Sequence, residues 1–159
     1  LVRTGYPVKS WEWATATPDY SLPMSIVISR SLSWTEKPAY NAVFVSGDKK
    51  GYRSMAKIAA TAGDYEAPQF SHALLTDPPA LAEAAKNILS EGGPQADIGL
   101  VFPMSASTVP LIVPGNLIEI TGDESWRALS RGVSVSFSAD NRGTIEVLQT
   151  VAAERHYWS

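Results

Sequence analysis

The sequence predicts a mainly β fold of the α+β class, a β-barrel or sandwich of short antiparallel strands with one flanking helix near residues 79 to 91. Short stretches in which apolar and polar residues alternate recur along the chain, as they do in strands with one buried face. Turn-forming residues separate these stretches, and closely spaced strands of this kind favour a barrel or a sandwich. One stretch, LLTDPPALAEAAKNILSEGG at 74–93, has helical spacing instead.

The composition excludes several classes of function. The 159 residues match one domain that can bury a proper core. With 45% hydrophobic and 18% charged residues, and no apolar run near the ~18 residues of a membrane span, we expect a soluble chain without a membrane partner. The net charge of -3, with Lys49 and Lys50 as the only adjacent basic pair, argues against nucleic acid as a partner. The absence of cysteine excludes disulfides, thiolate catalysis and Cys-based zinc sites.

The beginning of the chain shows no clear periodicity. Residues 1–23 hold three prolines, two tyrosines and two tryptophans, so we expect a loosely structured leading segment, which either belongs to this domain or is the remnant of an upstream one. Residues 24–159 are predicted to form the β-barrel domain. The chain starts at Leu1 with neither an initiator methionine nor a signal-peptide pattern, which suggests a fragment, a processed chain or a recombinant product.

The next two stretches predict strands of different kinds. The stretch 24–34 predicts a long strand with one buried face. The apolar residues on that face are Met24, Ile26, Ile28, Leu32 and Trp34. AVFVSG at 42–47 is apolar at successive positions, which is typical of a strand covered on both faces. GDKKG at 47–51 predicts a turn, and 61–76 shows no regular pattern.

The helix has start and stop signals. Thr76 or Asp77 can cap its first turn, two prolines follow where no amide donor is needed, and two glycines before Pro94 end it. A narrow apolar stripe consists of Leu81, Ala84, Ala85 and Ile88. The residues expected in solvent are Glu83, Lys86 and Asn87, with Glu83 and Lys86 as an i,i+3 ion pair. Small residues let a helix lie close to a sheet, so we predict a packing role without catalysis.

Short strands with one turn signal after another follow the helix. Three groups of alternating apolar residues predict these strands. The first is Ile98, Leu100 and Phe102, the second is Ile118 and Ile120, and the third is Val133, Val135 and Phe137 with Ile145 and Val147 on the returning strand. Pro114 and Gly115 suit the centre of a type II turn. DNRG at 140–143 predicts the turn of a final hairpin.

The residues predict no catalytic, cofactor-binding or metal site. The two histidines, His72 and His156, lie far apart in sequence and lack a companion at the spacing of a helical metal site. Glycine motifs for phosphate and the G-x-S-x-G nucleophile motif are absent. A serine, a histidine and an aspartate could still meet in space, so a serine hydrolase remains a remote alternative. Asp123 and Glu124 lie in a predicted turn, where we do not expect acid–base catalysis.

The tryptophans are the one unusual feature of the composition. They are Trp11, Trp13, Trp34, Trp126 and Trp158. Trp11 and Trp13 would share a face of an extended strand, and exposed indoles at Trp11, Trp13 or Trp34 could stack on sugar rings. A carbohydrate-binding β domain is therefore the alternative function. We favour a place for these tryptophans in the core or in a protein interface, where tryptophan is enriched.

From about residue 40 to 151, the order of elements resembles the hub or baseplate proteins of contractile and related long phage tails, the family of late control protein D. The matching pieces are YNAVFVSG, LLTDPPALAEAAKNILSE, IGLVFP, LIVPGNLIEI and GVSVSFSADNRGTIEVLQT, preceded by VISRSLSWTEKPAYNAV. The match covers roughly two-thirds of the chain and depends on the order and spacing of structural residues, not on a catalytic signature.

The resemblance implies a non-enzymatic structural role. Family members form a trimeric ring of β-barrel domains, each with a helix on its flank, that continues the tail tube. The resemblance therefore implies a homotrimer, contacts with tail tube and spike or baseplate proteins, no cofactor, and a place in the virion tail after assembly in the bacterial cytoplasm. This chain is much shorter than a whole hub, so it resembles a C-terminal portion, and trimerisation of this portion alone is open.

Overall fold

The computed structural model describes residues 8–49, 51–105, 109–139 and 145–157, and the chain divides into two compact units. The first unit consists mainly of Glu12–Thr35 and Gln95–Tyr157. The second consists mainly of Lys9–Trp11 and Glu36–Pro94. Each unit has its own hydrophobic core.

The described residues form nine strands and one α-helix. The strands are β1 (Tyr20–Pro23), β2 (Ser29–Lys37), β3 (Ala42–Gly47), β4 (Arg53–Lys57), β5 (Glu66–His72), β6 (Gly93–Pro103), β7 (Leu117–Thr121), β8 (Trp126–Ala139) and β9 (Ile145–His156). The helix is α1 (Pro78–Ser90), and short 3₁₀ turns occur at Ser10–Glu12 and Met24–Ile26. The predicted mainly β fold of the α+β class, with one helix, is confirmed.

A six-stranded sheet forms the first unit. Its strand order is β1-β7-β8-β9-β6-β2, and the sheet curls into a half-barrel. The pairs β7–β8, β8–β9 and β6–β9 are antiparallel, as predicted, whereas β1 pairs with β7 in parallel. The predicted final hairpin is confirmed in β8 and β9, whose paired residues include Phe137 and Val147.

One face of this sheet carries the core of the first unit. Residues directly opposite each other on neighbouring strands share a face, and Leu100, Val151 and Val133 form such a row. Ile98 and Phe102, two residues to either side of Leu100 on β6, are also buried, so the predicted alternation is confirmed. The adjacent loop contains the predicted type II turn, because Gly115 has φ 93° and the Asn116 amide donates to the Val113 carbonyl.

The second unit places α1 against a three-stranded sheet of order β4-β3-β5. β3 pairs with β4 in antiparallel fashion and with β5 in parallel. Val43 and Val45 are buried with Leu81 and Ala85 of α1. Phe44 points away from this core and is exposed, so the prediction that AVFVSG is covered on both faces is wrong. The helix covers one face of the small sheet.

The helix follows its sequence signals closely. Of the two candidate caps, Asp77 is used, since its Oδ1 accepts a hydrogen bond from the Ala80 amide at 2.8 Å. The predicted pair of Lys86 and Glu83 is confirmed at 2.8 Å. Glu83 and Asn87 are not fully solvated, however, because Lys9 Nζ contacts both side chains. Lys9, which belongs to the second unit, therefore packs against α1.

The burial predicted for the stretch 24–34 is wrong for three of its five apolar residues, whereas Met24 and Ile26 are partly buried against the core. Met24–Ile26 forms a 3₁₀ turn, and only from Ser29 does the chain become strand. The predicted core residues Ile28, Leu32 and Trp34 are exposed. The physical reason is position, because β2 is the last strand in the sheet order and lies beyond the area that the core covers.

The stretch 61–76 was expected to be irregular and contains β5, so this prediction is also wrong. β5 has one buried residue, Ala67, and its register with β3 shifts between Val43 and Val45. A mostly exposed strand with a bulge does not produce an alternating pattern.

The boundary expected near residue 23 stays a prediction, although the described part of 1–23 contributes strand β1 and the buried Trp13. DNRG at 140–143, Lys50 in GDKKG, and Trp158 lie outside the described residues.

Candidate assembly surface

A buried ionic cluster lies at the end of β9. Glu154 and His156 lie two residues apart on a strand and share a face. Arg131 Nε donates to Glu154 Oε2 at 2.8 Å, and His156 Nε2 lies 2.6 Å from Glu154 Oε1. The His156 ring also packs edge-on against Trp13, with 5.1 Å between ring centroids. This cluster therefore ties β8, β9 and the Trp13 segment together.

The electrostatics of the cluster fit a structural role. Burial raises the pKa of Glu154, but hydrogen bonds from His156 and Arg131 lower it by a larger amount. The pKa of Glu154 is therefore about 2. Glu154 is therefore ionised at neutral pH and satisfied by its neighbours. His72 lies far along the chain at the exposed end of β5. Over the ranges that the structure describes, no three His, Cys, Asp or Glu side chains gather as a metal site requires. The absence of catalysis stays a prediction.

The described end of the β8–β9 hairpin presents exposed apolar side chains. Phe137 pairs with Val147, and Ile145 pairs with Ala139, on the sheet face that carries Val133 and Val151 nearer the hairpin base. Phe137 is 73% exposed and Ile145 is 71% exposed. The apolar face of the hairpin thus continues beyond the core that its base covers. A contiguous apolar patch at the surface is typical of a site that contacts another molecule.

A tethered loop adds to the exposed apolar surface. Gln149 is fully buried on β9, where its Oε1 accepts from the Ile112 amide at 3.0 Å and its Nε2 donates to the Pro110 carbonyl at 2.9 Å. This amide holds the loop with Ile112 buried and with Leu111 and Val113 exposed. We call the hairpin end (Phe137, Ile145) and this loop (Leu111, Val113) together the assembly surface.

Four side chains form a ladder that ends at an exposed indole. Arg155 lies over the ring of Trp126 at 5.1 Å and over that of Tyr157 at 4.4 Å. Tyr157 in turn packs against Trp34, with ring centroids 4.7 Å apart. Trp126 is buried, whereas Trp34 is 64% exposed. The ladder holds the Trp34 ring in place while most of its surface faces solvent.

Two of the other tryptophans, Trp13 and Trp126, are buried, as the sequence analysis favoured, whereas Trp11 is not. Trp13 is buried, with its indole nitrogen donating to the Val8 carbonyl at 2.8 Å, and Trp126 lies in the core. Trp11 is part of a 3₁₀ turn and is 37% exposed. The prediction that Trp11 and Trp13 share a strand face is therefore wrong, because the chain turns between them.

Among the described residues, an open cleft occurs in the first unit and another in the second. A cleft of about 330 Å³ in the first unit is lined by Ser31, Asp97, Gly99, Arg131 and Ala152, and one of about 370 Å³ in the second lies beside Phe44 and Met55. The residues of neither cleft place a serine beside a histidine base, which a hydrolase would need. Neither of the two histidines lines these clefts.

Sequence reasoning missed the ionic cluster and the exposed hairpin end. The two-residue spacing of Glu154 and His156 was a signal for the cluster, since alternate residues of a strand share a face. The apolar alternation of the hairpin correctly predicted which residues share a face, but it did not predict that Phe137 and Ile145 on that face are exposed. Among the described residues, no helix is long and apolar enough to cross a membrane.

Comparison with known proteins identifies the kind of protein that has this fold. No protein-family profile and no curated protein matches the sequence. The solved structures that match the fold include two that each cover 89% of the chain. They are the tail protein from Neisseria meningitidis MC58, with a TM-score of 0.55 and 13% identity, and the 43 kDa tail protein of prophage MuSo2 from Shewanella oneidensis, with a TM-score of 0.52 and 14% identity.

The chain therefore has a fold that tail proteins of this kind also have. It spans 45% of the Neisseria protein and 46% of the Shewanella protein, which is less than half of each. At these identities the likeness concerns the fold, and the role of the chain has to be argued from its own surface.

Proposed function

We propose that the protein is a structural component of a phage or prophage tail, located in the hub or baseplate, where it joins the tail tube to the baseplate or spike. In this proposal it has no catalytic activity, it assembles as a homotrimer with tube and spike or baseplate proteins, and it is found in the virion tail. The observation that carries the proposal is the shared fold over 89% of the chain with two tail proteins.

The assembly surface supports this proposal independently of the comparisons. A protein that works by contact needs apolar side chains held at its surface, and the hairpin end and the Gln149 loop provide them. Phe137 and Ile145 contribute little burial to the isolated chain, because each is more than two-thirds exposed. In this proposal a neighbouring protein covers them.

The proposal is tested by locating the chain in particles. Tail particles induced from the source bacterium are labelled with gold-conjugated antibody against the 159-residue chain and examined by electron microscopy. We expect label at the baseplate end of the tail. Antibody that has been preincubated with the purified chain serves as the control. Purified, structurally complete tails that carry no label at any position would refute the proposal.

Carbohydrate binding is a second candidate function, favoured by the exposure of Trp34. Of the three tryptophans first considered, Trp13 is buried and Trp11 is only partly exposed, so this candidate now depends on Trp34. Titration of oligosaccharides against tryptophan fluorescence tests it, with Trp34→Ala as the matched variant. Quenching that disappears in the variant would support sugar binding, and unchanged fluorescence across a glycan panel would exclude it.

A further inference from the structure

Strand β2 is an unusually open edge. It is the last strand of the six-stranded sheet, it has nine residues, and eight of them are exposed. Proteins usually protect such an edge with charged side chains, proline, a bulge or a short strand, because its unpaired amide and carbonyl groups pair readily with another strand. β2 contains no proline, and its centre carries Leu32 and Trp34. Both features favour pairing with a partner strand.

The sequence of β2 is complementary to itself. If a second β2 lies antiparallel with Ser33 opposite Ser33, then Arg30 of each strand lies opposite Glu36 of the other. In the same register Leu32 lies opposite Trp34, and Ser31 lies opposite Thr35. Opposite charges and apolar pairs directly across an antiparallel ladder are stabilising. One alignment therefore satisfies both the charged and the apolar positions of β2.

The charged groups that this alignment uses are available. Arg30 and Glu36 are both exposed. Within the described ranges, the ion pairs involve other residues, so neither side chain is already neutralised there. Because Arg30 and Glu36 would each occur twice in a symmetric contact, the two copies would form two equivalent ion pairs.

We propose that two copies of this chain pair through β2 in an antiparallel, two-fold symmetric contact centred on Ser33, which joins their sheets edge to edge. The partner is a second copy because the strand's own charge pattern complements itself. This contact is isologous and goes beyond the proposed tail function, whose ring would need a different, heterologous contact. Trp34, held by Tyr157, would lose most of its exposure against the partner's Leu32.

Charge exchange tests the register. Arg30→Glu places Glu opposite Glu, and Glu36→Arg places Arg opposite Arg, so each single variant should raise the dimer Kd about tenfold or more at low salt. The double variant restores opposite charges and should return the Kd to about the wild-type value. Lys37→Glu is the matched control, because Lys37 lies opposite Ser29. The measurement is analytical ultracentrifugation, with circular dichroism to verify folding.

A cross-link tests the symmetry axis. The chain has no cysteine, so Ser33→Cys introduces a single thiol at the proposed axis, where paired Cα atoms lie about 4.5 to 5.5 Å apart and can form a disulfide. We expect a covalent dimer under mild oxidation. Ser29→Cys is the control, because its two copies would lie about 27 Å apart. A monomer at all concentrations, or a trimer without the Ser33 cross-link, would overturn the β2 pairing, and the trimer would leave the tail proposal intact.

Discussion

At the scale of single residues, Glu154 makes stability depend on pH. Its pKa in the folded chain is about 2, against an ordinary value of 4.5, because hydrogen bonds from His156 and Arg131 outweigh the effect of burial. A lowered folded-state pKa contributes stability that is present above 4.5 and lost as the pH falls towards 2. We expect Glu154→Gln to reduce the free energy of unfolding by about 2–3 kcal/mol at pH 7.

Urea denaturation at several pH values measures this effect. The difference between wild type and Glu154→Gln should shrink as the pH falls from 4.5 towards 2, because the wild-type carboxylate then also becomes neutral. Glu146→Gln, an exposed carboxylate on the same strand, serves as the control and should cost little. A difference that stays constant with pH would show that packing, not charge, makes Glu154 important.

At Gly47, the chain leaves no room for a side chain. A Cβ at Gly47 would overlap the backbone carbonyl oxygen of Leu75, which cannot rotate away. We expect Gly47→Ala to lower the free energy of unfolding by about 1–3 kcal/mol through overpacking. Gly132→Ala is the control, because its Cβ would meet Ala152 Cβ at 3.8 Å, an ordinary contact. Thermal denaturation that gives equal losses for both variants would contradict this explanation.

At the scale of elements, the first turn of α1 depends on one side chain. Asp77 caps the helix through the Ala80 amide, so Asp77→Ala should cost about 1 kcal/mol and lower the thermal midpoint. Thr76→Ala is a matched control, because the sequence allowed either residue as the cap and the structure uses Asp77. Circular dichroism at 222 nm during heating checks both variants. A larger loss for Thr76→Ala would place the cap at Thr76.

The same element shows why some parts of the fold could be predicted from sequence. The cap and the prolines of α1 act through local contacts, and the sequence specified the helix to within one residue at each end. The alternation in β6 also predicted burial correctly, because β6 lies inside the sheet, between β9 and β2. Local signals are sufficient where the tertiary surroundings agree with them.

Strands at the edges could not be predicted in the same way. The alternation in β2 correctly grouped Leu32 with Trp34, but whether that group is covered depends on the position of β2 in the sheet, which no local pattern records. β5 was missed because a bulged, exposed strand has no apolar period. The ionic contact of Arg131 with Glu154 joins residues 23 positions apart and required the strand register. For this chain, position in the sheet was the missing information.

At the scale of the whole molecule, we expect the exposed hairpin end to contribute to assembly but little to the stability of the chain. Phe137 and Ile145 are mostly exposed, so replacing both with serine should change the free energy of unfolding by less than about 0.5 kcal/mol. In a tail, however, a neighbouring protein would cover these side chains, and each buried large apolar side chain is worth about 1.5–3 kcal/mol. We therefore expect the double variant to fold normally and to enter tail particles at least about tenfold less efficiently.

This prediction is measured by comparing thermal midpoints with the amount of tagged chain that sediments with purified tails. Ser136→Ala changes the opposite face of the same hairpin and is expected to leave both quantities unchanged. If the double variant loses stability, the hairpin end belongs to the molecule's own core. If it keeps both stability and incorporation, the hairpin end is not the surface that assembles. Only normal stability with reduced incorporation fits a hairpin whose apolar face is completed by another protein.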